Sequence, residues 1–399
     1  MGAAHGFPSP AAGRYTGSVA HDDISPLSLA GWLKADAQAI GFDLAGITTP
    51  DPPPHLDVYA AWLQAGQHGE MRYLSTDRAR SARAEPRLLL PECRSVLVLA
   101  ANYAPPPAAA HAPAQIAAYA RGDDYHASLV PRANALVDRL QNRLGRAVAA
   151  RIYTDTGPLL ERELAQRAGL GWIGRNTCLI HPQLGSMILL VEVLLGLELP
   201  ADAPFDADRC GTCRRCVQAC PTGCILPDRT LDARRCLSYL TIEARGYIPP
   251  ALRPAVGNWL FGCDVCQQVC PWNLRFARPT SDPTFAPRPG LDPAEPAAFL
   301  ALAASELPAW LRGSPLKRAQ RAGLARNAAV VAGNLRREEH LPILGQALVA
   351  DAEPMVRAHA AWALGEFGSE GARQRLERGR RGEADADVLA EIDAALRLR

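Results

Sequence analysis

Nine of the eleven cysteines fall between residues 201 and 280, seven of them in two runs. The first is Cys210-x2-Cys213-x2-Cys216-x3-Cys220-Pro221 and the second is Cys263-x2-Cys266-x3-Cys270-Pro271. Closely spaced thiolates converge on one iron–sulfur cubane, while the cysteine preceding proline turns away to ligate another. The pattern therefore predicts two 4Fe–4S clusters with crossed ligation. One takes Cys210, Cys213, Cys216 and Cys270. The other takes Cys220, Cys263 and Cys266 and needs a fourth thiolate, for which Cys236, standing between the runs, is the candidate and Cys224 the competitor. Zinc also uses Cys-x2-Cys pairs, but two Cys-Pro-terminated runs favour clusters. Cys93 and Cys178, and Cys224 where it is not a ligand, read as small buried apolar residues. Such clusters move electrons one at a time and do not say where the electrons go.

A second segment with chemical potential is Tyr153-Thr154-Asp155-Thr156-Gly157-Pro158-Leu159-Leu160-Glu161-Arg162, followed by Gly169-Leu170-Gly171-Trp172-Ile173-Gly174-Arg175-Asn176-Thr177. A strand leads into Asp155, Pro158 suits a helix start, and the glycines let backbone approach a flat cofactor. Asp155 then stands at the mouth of a domain. Composition alone favours a plainer role for it, as the cap of a helix beginning near Pro158. No Gly-x-Gly-x-x-Gly lies between a strand and a helix, so a nicotinamide site is not supported.

These groups need a scaffold. Residues 1–27 lack periodicity and read as a flexible tail. A helix over 29–40, strands at 42–47, 96–100, 149–153 and 187–195, and helices at 131–146 and 158–168 predict an α/β domain over 28–200. Residues 201–280 read as a ferredoxin-like module and 281–311 as a Pro-rich linker. Residues 312–399 are helical, and Ala328-Ala329-Val330-Val331-Ala332-Gly333 recurs as Ala360-Ala361-Trp362-Ala363-Leu364-Gly365, which predicts a short HEAT-like solenoid.

Length and composition bound the class. With 399 residues, 48% hydrophobic and 21% charged, the chain is a multidomain globular protein and not a disordered or fibrous one. The most apolar stretch, Met187 to Leu199, is broken by Glu192 and Glu198 and is too short to span a bilayer. The N-terminus does not read as a secretory signal, so a cytoplasmic chain with no membrane association is expected. The net charge of +2, from 41 arginines and two lysines against the acidic residues, implies that any nucleic-acid binding is local. Between Arg312 and Arg337 all seven charged residues are basic: Arg312, Lys317, Arg318, Arg321, Arg326, Arg336 and Arg337. A run of one sign predicts a phosphate-binding face.

The ordered combination of Asp155 to Thr177, Tyr119-Ala120-Arg121-Gly122-Asp123-Asp124-Tyr125-His126, Cys236 to Glu243, and Gly262-Cys263-Asp264-Val265-Cys266-Gln267-Gln268-Val269-Cys270-Pro271-Trp272-Asn273 resembles the epoxyqueuosine reductases over about residues 28–399. The resemblance implies an oxidoreductase that reduces epoxyqueuosine to queuosine at the wobble position of tRNA, using cobalamin fed by two 4Fe–4S clusters. It casts the 28–200 domain as the cobalamin-binding catalytic domain, without a histidine below the cobalt, and the HEAT-like unit as the tRNA grip. Asp155 becomes the general acid that protonates the epoxide-derived oxygen, a role an apolar neighbour would favour by raising its pKa. Asp124, Tyr125, His126 and Arg162 fall where substrate or cofactor is bound. A flavodoxin- or ferredoxin-type donor and a monomeric state are expected. The family pattern has Ala at the position of Cys224. Two other readings compete: a reductive dehalogenase-like reductase of a small substrate, for which an export signal is expected, and a ferredoxin-type electron-transfer subunit, which gives the large N-terminal domain no purpose.

Overall fold

The computed structural model describes residues 25–106, 113–302 and 311–397. Most of the segment read as a flexible tail lies outside the described residues. The first helix, α1 (Pro26–Ala39), starts earlier than its apolar periodicity suggests, because the Ser25 hydroxyl caps the Ser28 N–H and Pro26 occupies the first turn. There follow β1 (Leu44–Thr48), α2 (Asp77–Ala84), β2 (Ser95–Asn102), α3 (His126–Leu144), β3 (Ala150–Tyr153), α4 (Glu161–Arg167) and β4 (Ile188–Leu195). Helix α3 begins five residues before Pro131. The Asp124 carboxylate accepts the His126 N–H at its start, and Gly145, at φ +63°, ends it.

The strands form one sheet in the order β1-β2-β4-β3, and every neighbouring pair is antiparallel. The expected α/β domain is thus an antiparallel sheet with helices on both faces. All eight residues of β2 are buried. Leu97, Leu99 and Ala101 face α1 and α3, where Leu33, Leu129 and Leu136 meet them. Val96, Val98 and Ala100 face α4 and α2, against Leu164, Ala165 and Ala82. An apolar run looks the same in any strand covered on both faces, so strand direction was not legible from it.

The cysteine module is short helices and turns: α5 (Arg215–Ala219), α6 (Leu237–Ile242), α7 (Val265–Gln268) and α8 (Pro271–Phe276). A parallel pairing of Ile116 with Phe261 joins it to the sheet domain. The C-terminal helices are α9 (Gln320–Leu335), α10 (Leu341–Ala350), α11 (Pro354–Phe367), α12 (Glu370–Gly382) and α13 (Ala386–Arg397). The repeated Ala-rich motif packs α9 on α11, and a Cβ on Gly333 would come within 2.8 Å of the Ala363 backbone. The helical unit does not hang from a slack linker. Leu291 and Phe299 bury in the same core that unites Leu240 and Leu260 of the cysteine module with Leu324 and Leu364 of the solenoid.

That shared core changes the reading of the basic run. Arg326 is fully buried. Its guanidinium donates to the carbonyls of Leu240, Ala244 and Gly246, so it staples α9 to the end of α6. Its loss would leave these acceptors unpaired at about 1–3 kcal/mol each. Arg321 forms a bidentate pair with Asp351, Arg318 one with Glu243, and Arg336 pairs with Glu366. Arg326 and Arg321 are thus internal wiring, whereas Arg312, Lys317, Arg318, Arg336 and Arg337 stay exposed, several of them in ion pairs.

Candidate active site and cluster sites

Cys210, Cys213, Cys216 and Cys270 line one small cavity with Arg175, Asn176 and Trp272. The tight turns at Cys210 and the five-residue α5 bring the first three thiols to one side, and Cys270 arrives from the start of α8. Trp172 Nε1–H donates to Cys210 Sγ at 3.4 Å. Arg175 Nε and Asn176 Nδ2 are buried without a hydrogen-bond partner among the described residues. Four thiols and two unpaired N–H donors around a cavity fit a cluster whose sulfides accept hydrogen bonds. Among the described residues no three Cys, His, Asp or Glu side chains converge as a single metal ion requires.

The second group is Cys220, Cys236, Cys263 and Cys266, each within electrostatic reach of others in the group. Cys216 and Cys220 stand at opposite ends of a single helical turn, as do Cys266 and Cys270, which is how each run serves both groups. Cys224 is buried with its Sγ 3.4 Å from that of Cys220, and it also meets Cys236. Cys178 meets Cys266. Cys224 is buried as expected and Cys178 half-buried, and both also contact other thiols.

Asp155 is exposed and lies in the left-handed region at φ +58°, a conformation Asp tolerates better than most residues. It caps no helix. Helix α4 starts only at Glu161, and the residue preceding it, Leu160, makes no side-chain cap bond. Instead the Asp155 N–H donates to Glu161 Oε1 at 2.7 Å, and Asp155 Oδ2 accepts from the Tyr125 hydroxyl at 2.9 Å. Burial and then the Asp155 charge push the Tyr125 hydroxyl far above the ordinary tyrosine range, so it stays a neutral donor. Tyr125 stacks on His126 with ring centroids 4.1 Å apart.

Asp124 is buried and receives His126 Nδ1 at 2.7 Å on one oxygen and Lys317 Nζ at 2.6 Å on the other. Burial alone would raise its pKa, but the hydrogen bonds from His126 and Lys317 outweigh it and hold the carboxyl well below the usual range. His126 Nε2 is buried with no partner among the described residues. Arg162 points its guanidinium at the Thr177 carbonyl and hydroxyl, so it clamps the turn carrying Cys178 to α4. The structure thus gathers Asp124, Tyr125, His126 and Asp155, while Arg162 ties this group to the second thiol set through Thr177, Cys178 and Cys266.

Beside this group opens a cleft of about 350 Å³ lined by Glu70, Arg72, Tyr73, Glu243, Arg245 and Arg318. Tyr73 feels the charges of Asp155 and Arg318, and Arg318 lies over its ring. Arg72 and Arg245 are exposed cations 173 positions apart in sequence, and no run betrays them.

An epoxyqueuosine reductase (QueG) family model matches residues 83–156, a 4Fe–4S double cluster binding domain matches 209–273, and HEAT repeats match 315–397. The epoxyqueuosine reductase of Pseudomonas aeruginosa is 39% identical over 358 residues, covering 87% of this chain and 98% of that one. The chain belongs to the epoxyqueuosine reductase family. The Escherichia coli epoxyqueuosine reductase is 36% identical, covering 85% of this chain and 89% of its own. A crystal structure of an epoxyqueuosine reductase with an epoxyqueuosine-modified tyrosine-tRNA stem loop superposes with a TM-score of 0.86 at 28% identity, over 94% of this chain and 99% of that one. The Bacillus subtilis epoxyqueuosine reductase, solved with its catalytic aspartate loop swung out of the active site, gives 0.82 at 28% identity, over 94% of this chain and all of that one.

Proposed function

We propose that this protein reduces epoxyqueuosine to queuosine at the wobble position of tRNA, with two 4Fe–4S clusters and cobalamin as cofactors and Asp155 as the proton donor. The observation that carries the reading is the exposed Asp155 carboxyl, held by a neutral Tyr125 hydroxyl and adjoining, through Arg162 and Thr177, one of two cysteine groups suited to clusters. Opening an epoxide reductively leaves an alkoxide-like oxygen that needs a proton, and a carboxyl at the mouth can supply it. Cobalamin, when bound, supplies a strongly reducing metal centre in the 28–200 domain. Tyr125 orients the Asp155 carboxyl. Asp124, kept ionised, orients His126 and leaves its Nε2 for the substrate.

An anticodon loop can splay its wobble base into a pocket, while the protein holds phosphates. Arg72 and Arg245 at the cleft, with the exposed Arg312 and Lys317 just before the solenoid's first helix, serve that grip better than the buried Arg326. Electrons enter at the first cysteine group. Its surroundings include exposed Arg209, Arg214 and Arg215, which suit an acidic flavodoxin- or ferredoxin-type donor. No described helix is long and apolar enough to cross a membrane. We read the protein as a cytoplasmic monomer, where its tRNA substrate is.

Anaerobically reconstituted protein should convert an epoxyqueuosine-containing anticodon stem loop to the queuosine form only when cobalamin is added. Cluster bleaching and re-oxidation without any conversion would instead support an electron-transfer subunit. Conversion of a halogenated small molecule but not of the RNA would support the dehalogenase-like reading.

A further inference from the structure

Glu192 is one of the two acidic residues that break the most apolar stretch of the chain. It sits at the centre of β4, opposite Val98 on β2 and Tyr153 on β3, and is completely buried. No N–H or hydroxyl among the described residues donates to either of its oxygens. The group that meets it is another carboxyl, that of Glu161, at the first position of α4. Glu161 in turn accepts the Asp155 N–H at 2.7 Å. A carboxylate buried among Val98, Leu164 and Leu190 with no cation would cost several kcal/mol, and two carboxylates in contact there would cost more. A proton between them removes both costs.

We propose that Glu161 and Glu192 share a proton and form a positioning pair that latches the Asp155 loop over the site, the loop opening when the shared proton is lost. The inference rests on Asp155 being the proton donor. It explains why Asp155, a non-glycine residue, stays in a left-handed conformation: its backbone N–H is anchored to a carboxyl that is itself anchored to the sheet. Leu159 anchors the far end of the loop in the core beside Leu190 and Leu194, and the Thr154 hydroxyl bonds the Leu190 carbonyl just before it, so the Glu161 contact is the one that holds the Asp155 backbone itself. The charged groups facing the pair are Asp155, which adds repulsion, and Arg162, which attracts Glu161 but is engaged by Thr177.

The titration runs one way. Burial, then the Asp155 charge, push Glu161 up to about 7, and burial, then the Glu161 charge, push Glu192 well above the carboxylate range. Folded-state values above the unfolded ones mean that the closed loop is favoured at lower pH and loses that advantage as pH rises through the pair's titration. Opening hydrates the carboxylates and relieves the repulsion. Glu192→Gln keeps the shape and gives Glu161 a permanent N–H donor, so it should lock the latch at every pH.

Hydrogen exchange of the full chain, followed in peptides spanning 153–160 from about pH 6 to about pH 9 and corrected for the chemical exchange rate, reads the latch directly. In the native protein, protection of this loop should fall with rising pH by up to about tenfold per unit. In Glu192→Gln it should stay constant. Infrared difference spectra should show a protonated-carboxyl stretch at pH 8 that Glu192→Gln removes and Asp155→Asn retains. The same pH dependence in both proteins, or no protonated carboxyl at pH 8, overturns the latch. Normal turnover by Asp155→Asn would overturn the proton-donor reading while leaving exchange and infrared results unchanged, so the two failures are distinguishable.

Discussion

Around Cys210, Cys213 and Cys216 the chain exposes Arg209, Arg214 and Arg215. Around Cys236 and Cys263 it packs the core that joins Leu237 and Leu260 to the solenoid, and Gln267, the residue after Cys266, is buried and hydrogen-bonded to buried Tyr103. One group is flanked by exposed arginines, the other packs against the core shared with the solenoid and adjoins the Asp155 mouth. Two chemically similar cysteine sets therefore differ in their neighbours, and the proposed function assigns the outer set to receiving electrons and the inner set to delivering them. The chain between them is short, since Cys216 and Cys220 flank one turn of helix.

Removing an inner ligand should have the largest effect. Cys236→Ala should lower bound iron toward one cluster and abolish epoxyqueuosine reduction, while Cys224→Ala should keep both clusters. Iron and sulfide analysis decides, and equal iron loss in both variants would mean that Cys224 shares the ligand role. A smaller effect is expected at the outer set. Charge reversal of Arg214 and Arg215 together should slow reduction by an acidic protein donor by roughly tenfold at low salt, with the difference shrinking as salt is added. Reduction by a small uncharged chemical reductant should be unchanged. If both reductants slowed equally, the arginines would support the cluster itself and the contrast between the two sets would lose its electrostatic half.

The double-cluster module was legible because the spacing of a cubane's thiolates is local: three cysteines within seven residues declare themselves. The helical repeat was legible for the same reason, through the 32-residue offset of its Ala-rich motif. What failed were statements about partners far away in sequence. Arg326 reads as one more cation in a basic run, and only the fold brings it to the carbonyl of Leu240. Asp155 reads as a helix cap until Tyr125, thirty residues earlier, is seen to hold its carboxyl. The antiparallel order of the sheet was hidden because an apolar strand buried on both faces has no directional signature. Glu192 carried a usable signal that was read only as a break in hydrophobicity: a charge inside an otherwise apolar strand must find a partner or a proton.

The central claim is that Asp155 supplies the proton that epoxide reduction requires. Asp155→Asn retains the size and the ability to accept from Tyr125 but has no acidic proton to give. The decisive measurement is single-turnover conversion of an epoxyqueuosine stem loop by this variant, with iron content, cobalamin uptake and RNA affinity recorded on the same preparation. Those three quantities should match the native protein while the rate falls by about two orders of magnitude or more. A rate within a few-fold of native would contradict the account and move the donor to Tyr125 or His126.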